Sequence, residues 1–158
     1  MTDQKDLKNF QDLLFESIVP KVEIISLVLV GLGILFKILS LQGTPEILMI
    51  ALSTYAAVCY LRGFEKTELA GWFNKMIIKF SGISSAVLVI GTLFLTLNLA
   101  GHTDMLIIGV PSFSIAFLVI IFKYINSESA EYRKVLDGNI KTILVVGLVF
   151  LAIYYLQF

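Results

Sequence analysis

The sequence predicts an all-α membrane protein, a five-transmembrane-helix bundle with two parallel-repeat helical hairpins plus one extra helix. Three observations lead to this fold class. The chain of 158 residues is 58% hydrophobic and 15% charged, with a mean hydropathy of +0.90. Its apolar residues are gathered into five long blocks, and one segment of the sequence occurs twice. A soluble domain of this length carries more charge and shorter apolar runs.

Each apolar block is long enough to cross a bilayer as a helix. The blocks cover residues 22–41, 45–61, 76–99, 105–125 and 142–158. A spanning helix needs about 17 to 25 residues. The blocks are continuous and do not alternate as barrel strands do. We therefore expect helices, in which every backbone polar group is satisfied within the segment.

The repeat places two similar hairpins in the chain. Residues 33–50 and 91–108 align without a gap, and eight of eighteen positions are identical, including both glycines of the first segment. Glu46 and Asp104 are a matched pair of acids. An even number of spans separates the hairpins, so they enter the membrane from the same side. This predicts parallel repeats, related by an axis along the membrane normal.

Short turns connect the two helices of each hairpin. Gly43 and Gly101 follow an apolar helix, where a left-handed residue closes the C-terminus. Residues 44–46 read Thr-Pro-Glu, which predicts a helix start with Thr as N-cap, Pro at the first position and an acid in the first turn. Residues 102–104 are a weaker version of the same signal.

Lys and Arg residues predict the orientation. They occur at the N-terminus and in the two long loops, whereas the short turns and the C-terminus carry none. The positive-inside rule places the N-terminus in the cytoplasm and the C-terminus outside. The predicted organisation is a cytoplasmic segment 1–21, a first transmembrane hairpin 22–61, a cytoplasmic loop 62–75, a second hairpin 76–125, a cytoplasmic loop 126–141 and a fifth helix 142–158.

Three polar segments have predictions of their own. Residues 6–19 have apolar positions near helical period, which fits either an interfacial amphipathic helix or a polar extension of the first span. Residues 71–73, Gly-Trp-Phe, predict an interfacial anchor. Residues 137–139, Asp-Gly-Asn, predict a turn within the third loop.

Lys37 is the first candidate functional residue. It lies four residues before the end of the first apolar block, and an ionisable group in a span is a functional candidate. The alternative is that the side chain snorkels to the interface, which its shallow depth favours. Glu46 or Asp104 could also neutralise it. Leu95 is its counterpart in the repeat.

The remaining candidates lie near the outer turns. Glu46 and Asp104 form either an outward-facing cation site or favourable partners of a helix N-terminus, worth about 0.3–1 kcal/mol each, and the second interpretation is favoured. His102, next to Asp104 in the turn region, is either a pH sensor or a solvated histidine, and the second is favoured.

Several function classes have no support in the sequence. No nucleophile–base pair, metal-ligand cluster or phosphate-binding loop is recognisable, so we expect no catalytic residue, no metal, no cofactor and no enzymatic activity. The net charge of zero gives no reason to expect a nucleic-acid partner. The expected partners are the lipid bilayer and either a second copy of the chain or another membrane protein.

Four short segments of the first hairpin form a recognisable pattern: residues 35–38 (LFKI), 43 (Gly), 48–50 (LMI) and 53–56 (STYA). This pattern carries a resemblance to the transmembrane hairpin of the L subunit of the gliding-motility and type 9 secretion motor. It covers about one hairpin, and Lys37 matches the lysine of the motif. The glutamate that couples proton flow in that family falls on Tyr55, and the repeat has Phe113 there. The resemblance thus implies a hairpin architecture, association into a bundle and a bacterial source, without motor activity.

We therefore expect a non-catalytic subunit or scaffold in the inner membrane of a bacterium. The alternative is a small transporter or channel with a path between the two hairpins, which the repeat, Pro111 and the polar residues of the third and fourth spans favour. Lys37, Glu46, Tyr55, His102 and Asp104 are the positions to test.

Overall fold

The computed structural model describes residues 13–65, 72–126 and 130–157, and within them it is helical without strands. The helices are α1 (Val19–Ile38), α2 (Thr44–Arg62), α3 (Trp72–Thr96), α4 (His102–Ile125) and α5 (Ala130–Gln157), and a π-helical turn at Leu14–Ile18 leads into α1. All five are long and apolar enough to span a membrane, α5 through its part Val135–Leu156. The prediction of five apolar helices is confirmed, and the chain is a multi-pass membrane protein.

Helix α3 is the centre of the bundle. Helices α1 to α4 contact one another in chain order, and α5 packs across α3 and α4 and reaches α1. In α3, 67% of an 18-residue apolar stretch is buried inside the bundle, against 17% of the corresponding stretch in α4 and in α5. The main core lies between α1, α2, α3 and α5 and includes Val30, Leu48, Leu52, Leu88, Val146 and Ile153. A second cluster joins α3, α4 and α5 through Ile77, Ile120, Leu136 and Ile143.

The bundle has two distinct ends. We call the end with the turns 39–43 and 97–101 the turn end, and the opposite end, where α1 begins and α2 and α4 finish, the loop end. At the first turn, Ser40 is left-handed (φ 53°), and the Leu41 N–H donates to the Phe36 carbonyl at 2.9 Å. This is a Schellman closure of the helix. Gly43 (φ 86°) then starts α2.

The second turn has the same geometry at positions 58 residues later. Asn98 is left-handed (φ 50°), the Leu99 N–H donates to the Phe94 carbonyl at 2.9 Å, and Gly101 has φ 86°. The side chain of the first residue of the next helix also makes the same hydrogen bond in both hairpins, to the backbone carbonyl three residues earlier. The Thr44 hydroxyl donates to the Leu41 carbonyl at 2.8 Å, and His102 Nδ1–H donates to the Leu99 carbonyl at 3.0 Å.

These turns correct two details of the sequence prediction. Ser40 and Asn98, rather than the glycines, are the left-handed residues that close α1 and α3, and each glycine is instead the N-cap of the following helix. Thr44 is therefore the first helical residue and not the cap. In a Schellman closure the hydrogen-bonded residues extend beyond the end of the helix. The N-cap of the next helix therefore falls on the glycine and not on the residue after it.

Most of the predicted loop 126–141 is helical, because α5 begins at Ala130. The segment 137–139, where the sequence predicts a turn, is helical. Asn139 Nδ2 donates to the Val135 carbonyl at 3.0 Å, and the Thr142 hydroxyl donates to the Gly138 carbonyl at 3.2 Å. A glycine inside a helix costs about 1 kcal/mol relative to alanine. Burial of Leu136 against α3 and α4 offsets that cost.

Other boundaries differ by a few residues. Helix α3 begins at Trp72, inside the predicted loop 62–75, and Trp72 and Phe73 are exposed as an interfacial anchor requires, whereas residue 71 lies outside the described residues. Residues 1–12 also lie outside them, and residues 13–18 continue α1 as a helical extension. Pro111 lies inside α4, which continues to Ile125.

Candidate functional site

An ion pair joins α1 and α2 at the loop end. Arg62 Nε donates to Glu23 Oε2 at 2.9 Å, and Arg62 Nη2 donates to the same oxygen. The two residues are 39 positions apart, and their side chains are only 27% and 13% exposed. Because both side chains are largely buried, removing either partner would leave the charge of the other uncompensated.

Buried polar side chains continue from this pair into the core. Tyr55 and Cys59, one turn apart on α2, are buried and within electrostatic reach of Glu23 and Arg62. On α1, the buried Ser26 hydroxyl donates to the Glu23 carbonyl at 2.9 Å. We call Glu23, Ser26, Tyr55, Cys59 and Arg62 the loop-end junction.

Two hydroxyl groups of the core have no hydrogen-bond partner among the described residues. They are those of Tyr55 on α2 and Ser85 on α3. The neighbouring Ser84 hydroxyl, in contrast, donates to the Ser81 carbonyl at 3.0 Å. Buried polar groups without partners are uncommon in folded proteins. These two hydroxyls are therefore the polar feature of the core that the packing leaves unexplained.

Close contact of two backbones holds α2 against α3 beside the junction. A Cβ atom on Gly82 would lie 2.5 Å from Gly63 Cα and 2.9 Å from the Cys59 carbonyl oxygen. No side chain can fit there without moving a helix. Small residues at such crossings are typical of membrane helices.

Lys37 lines a cavity at the turn end. The cavity has a volume of about 230 Å³ and is lined by Lys37, Ser40, Leu41, Thr44, Pro45 and Thr96, so it lies between α1, α2 and α3. Lys37 is partly buried, and neither Glu46 nor Asp104 forms an ion pair with it. The predicted neutralisation by those acids is therefore wrong.

A second cavity lies at the related place in the second hairpin. Its volume is about 580 Å³, and it is lined by Leu95, His102, Thr103, Leu106, Ile107, Val110, Pro111 and Tyr154. Its residues 95, 102 and 103 correspond to residues 37, 44 and 45 of the first cavity. The lining of the second cavity is mainly apolar, because leucine replaces the lysine.

The other candidate residues lie apart from one another. Glu46 and Asp104 are exposed in the first turns of α2 and α4, where a carboxylate favours the helix N-terminus. His102 is partly buried with its Nδ1–H bonded, and it forms no ion pair with Asp104. Tyr55 is fully buried in the core and lines neither cavity.

The sequence analysis missed the Glu23–Arg62 pair, although a signal existed. Glu23 precedes the middle of the first turn by about as many residues as Arg62 follows it, so an antiparallel hairpin brings them to the same level. Opposite charges at matching heights of a hairpin predict an ion pair, whereas each charge alone is ordinary at a span end.

Searches against protein-family models, curated proteins and solved structures find no match for this chain. Among the residues described, no three His, Cys, Asp or Glu side chains come together as a metal site would require. The resemblance to the motor L subunit therefore stays a prediction from the sequence.

Proposed function

We propose that the chain is a non-catalytic integral subunit or scaffold of a bacterial membrane complex. The observation that supports this best is a group of fully buried aliphatic side chains where α1, α2 and α3 pack together. Between the loop-end junction and the turn-end cavities lie Val30, Leu48, Leu52, Leu88 and Val89, each at most 1% exposed. Transport and conduction need polar or hydrated groups along a path. Closely packed aliphatic side chains suit a structural bundle instead.

The hydroxyl groups near these side chains bond within their own helix. The Thr92 hydroxyl donates to the Leu88 carbonyl at 2.8 Å, and the Thr96 hydroxyl donates to the Thr92 carbonyl at 2.7 Å. Threonine and serine in membrane helices commonly bond in this way. Such groups are satisfied without substrate or water, which supports a subunit rather than a transporter.

We further propose that the bundle lies in a bacterial inner membrane with its loop end in the cytoplasm. Basic side chains at this end support it: Lys79 lies over the Phe64 ring at 5.6 Å from the centroid, and Lys123 over the Phe73 ring at 5.1 Å. A membrane-impermeant maleimide tests it on intact cells. Gln42→Cys at the turn end should be labelled, and Asn126→Cys only after lysis. The reverse pattern would contradict the orientation.

The parallel-repeat arrangement of the hairpins is also an inference. It is supported by turns that agree in left-handed positions, hydrogen bonds and first-turn side chains at a constant offset of 58 residues. Packing agrees as well. Gly33 faces Leu48 in the first hairpin, and Gly91 faces Leu106 at the corresponding positions of the second.

The mass of the assembly tests the subunit proposal. The full chain, purified in a mild detergent, should give a mass above that of one chain plus detergent, either as a homo-oligomer or with a co-purified membrane protein. Native mass spectrometry separates these outcomes. A lone monomer over a wide range of protein and detergent concentrations would contradict the proposal.

A small transporter is the second candidate, and it is favoured by the buried hydroxyls of Tyr55 and Ser85, which have no hydrogen-bond partner among the described residues. Flux of protons and common ions into sealed liposomes distinguishes the two functions. We expect no flux above that of empty vesicles. Flux that Tyr55→Phe or Lys37→Ala abolishes would establish the transporter and exclude a purely structural role.

A further inference from the structure

We propose that the turn-end cavity around Lys37 binds the phosphate group of a membrane lipid. This inference needs only the membrane-embedded fold, and it stands whether or not the chain acts as a subunit. It assigns a ligand to Lys37, which forms no ion pair with any of the described residues.

The first argument is the uncompensated charge. Lys37 is the penultimate residue of α1, it is partly buried, and no carboxylate of the described residues pairs with it. An ammonium group removed from water and left without an anion is unfavourable. At the level of a helix end, the abundant anion of a bilayer is the lipid phosphate.

The second argument is the set of hydrogen-bond donors around the cavity. The Thr44 and Thr96 hydroxyls already donate to backbone carbonyls, at 2.8 and 2.7 Å. The Ser40 hydroxyl donates to no group of the described residues and lines the cavity beside Lys37. Thr44, the first residue of α2, adds one backbone N–H that has no partner inside the helix, whereas Pro45 has no N–H. Ammonium, hydroxyl and backbone donors are the groups that bind phosphate oxygens.

The third argument is size and lining. A volume of about 230 Å³ is several times the roughly 30 Å³ that one water occupies in the liquid. It is therefore large enough for a phosphate group with attached glycerol carbons. Leu41 and Pro45 provide an apolar wall on the same cavity. A site that is basic at one point and apolar beside it suits a lipid better than free phosphate.

The second hairpin provides an internal control. The cavity around Leu95 shares three corresponding lining positions with it, residues 95, 102 and 103, and it lacks the ammonium group. If the lysine determines binding, that cavity should not retain a phospholipid. Leu95→Lys should then create a second phosphate site by a single substitution.

Native mass spectrometry of the purified full chain tests the proposal. The probes are phosphatidylglycerol, a diacyl glucolipid with the same acyl chains but no phosphate, and inorganic phosphate. We expect retention of one phosphatidylglycerol in preference to the glucolipid. Lys37→Leu should weaken its binding about tenfold, as for the loss of one charge-assisted hydrogen bond. Lys37→Arg should retain binding, and Lys141→Gln, at an exposed lysine near the other end, should not change it.

Each remaining outcome counts against the proposal. Equal retention of glucolipid and phosphatidylglycerol, or unchanged binding in a folded Lys37→Leu variant, would overturn it. Displacement of the lipid by millimolar inorganic phosphate would assign the site to a free anion and overturn the lipid. If Lys37→Leu does not fold, Lys37→Gln and Leu95→Lys decide. If Lys37→Gln binds phosphatidylglycerol as the parent does and Leu95→Lys binds no additional lipid, the proposal is wrong.

Discussion

The two hairpins agree at their turns and differ at their loop ends. At the turn end, corresponding residues make the same backbone hydrogen bonds although the side chains differ, as Thr44 and His102 show. At the loop end, the Glu23–Arg62 ion pair of the first hairpin corresponds to Ser81 and Ile120 of the second. Backbone geometry therefore determines the turns, whereas the surroundings of each hairpin determine its loop end.

The neighbours of each hairpin explain the difference. Ile120 is fully buried because α5 covers it, in a cluster with Leu136 and Ile143. A charged pair at that place would lose its water. Helix α5 contacts α1 only weakly, so Glu23 and Arg62 keep part of their exposure. A half-buried ion pair is tolerable where some hydration remains.

The largest effect should come from the backbone contact between the hairpins. In Gly82→Ala the new Cβ would lie 2.5 Å from Gly63 Cα, and neither backbone can yield as a flexible side chain would. We expect a loss of about 3 kcal/mol, the upper end of the usual cost of overpacking. Unfolding in mixed detergent micelles measures it. Gly31→Ala, where a Cβ meets no atom of a neighbouring element within 4 Å, is the control and should be neutral or slightly stabilising through its gain in helix propensity. Equal effects would exclude this contact as the reason.

The ion pair should show the next largest effect. Glu23→Gln or Arg62→Gln leaves one partly buried charge unpaired. We expect each to cost about 2 kcal/mol, less than a fully buried pair because both side chains retain some exposure. The double variant Glu23→Gln/Arg62→Gln completes the cycle and should cost less than the sum of the single changes, because neither charge is then left unpaired. Additive losses in a double-mutant cycle would show that the two groups are not coupled.

A smaller difference should separate two corresponding glycines. A Cβ on Gly33 would lie 2.5 Å from Leu48 Cδ2, and one on Gly91 would lie 3.1 Å from Leu106 Cδ2. Leu48 is fully buried and has little space to move. We expect Gly33→Ala to cost about 1 kcal/mol through overpacking. Gly91→Ala should be close to neutral, since the gain in helix propensity offsets a slight contact. Thermal unfolding of both variants in one detergent compares them directly. A larger loss of stability in Gly91→Ala than in Gly33→Ala would contradict the tighter packing at Gly33.

The sequence predicts which segments cross the lipid, but it does not predict the features that depend on contacts between helices. Apolar blocks located all five helices, and Gly43 and Gly101 located the turns. Hydropathy measures the preference of a segment for lipid and not the ends of a helix. It therefore could not show that α5 begins at Ala130, where tertiary contacts of Leu136 override the turn signal of residues 137–139. The two cavities were also beyond it, because each needs side chains from separate helices.

The smallest effect should come from exchanging one hydroxyl between the hairpins. Tyr55→Phe gives α2 the aromatic residue that the second hairpin has at position 113. The Tyr55 hydroxyl is buried with no hydrogen-bond partner among the described residues, so its removal should be neutral or stabilising by up to about 1 kcal/mol. Phe113→Tyr is the reciprocal change, at a half-buried ring packed against the clusters that contain Val146 and Ile143 of α5, and it should be neutral or destabilising. Unfolding of both variants under the same conditions gives the two signs. A clear loss of stability in Tyr55→Phe would mean that this hydroxyl has a partner, either the Cys59 thiol one turn away on α2 or a water, and it would contradict a hydroxyl without a hydrogen bond.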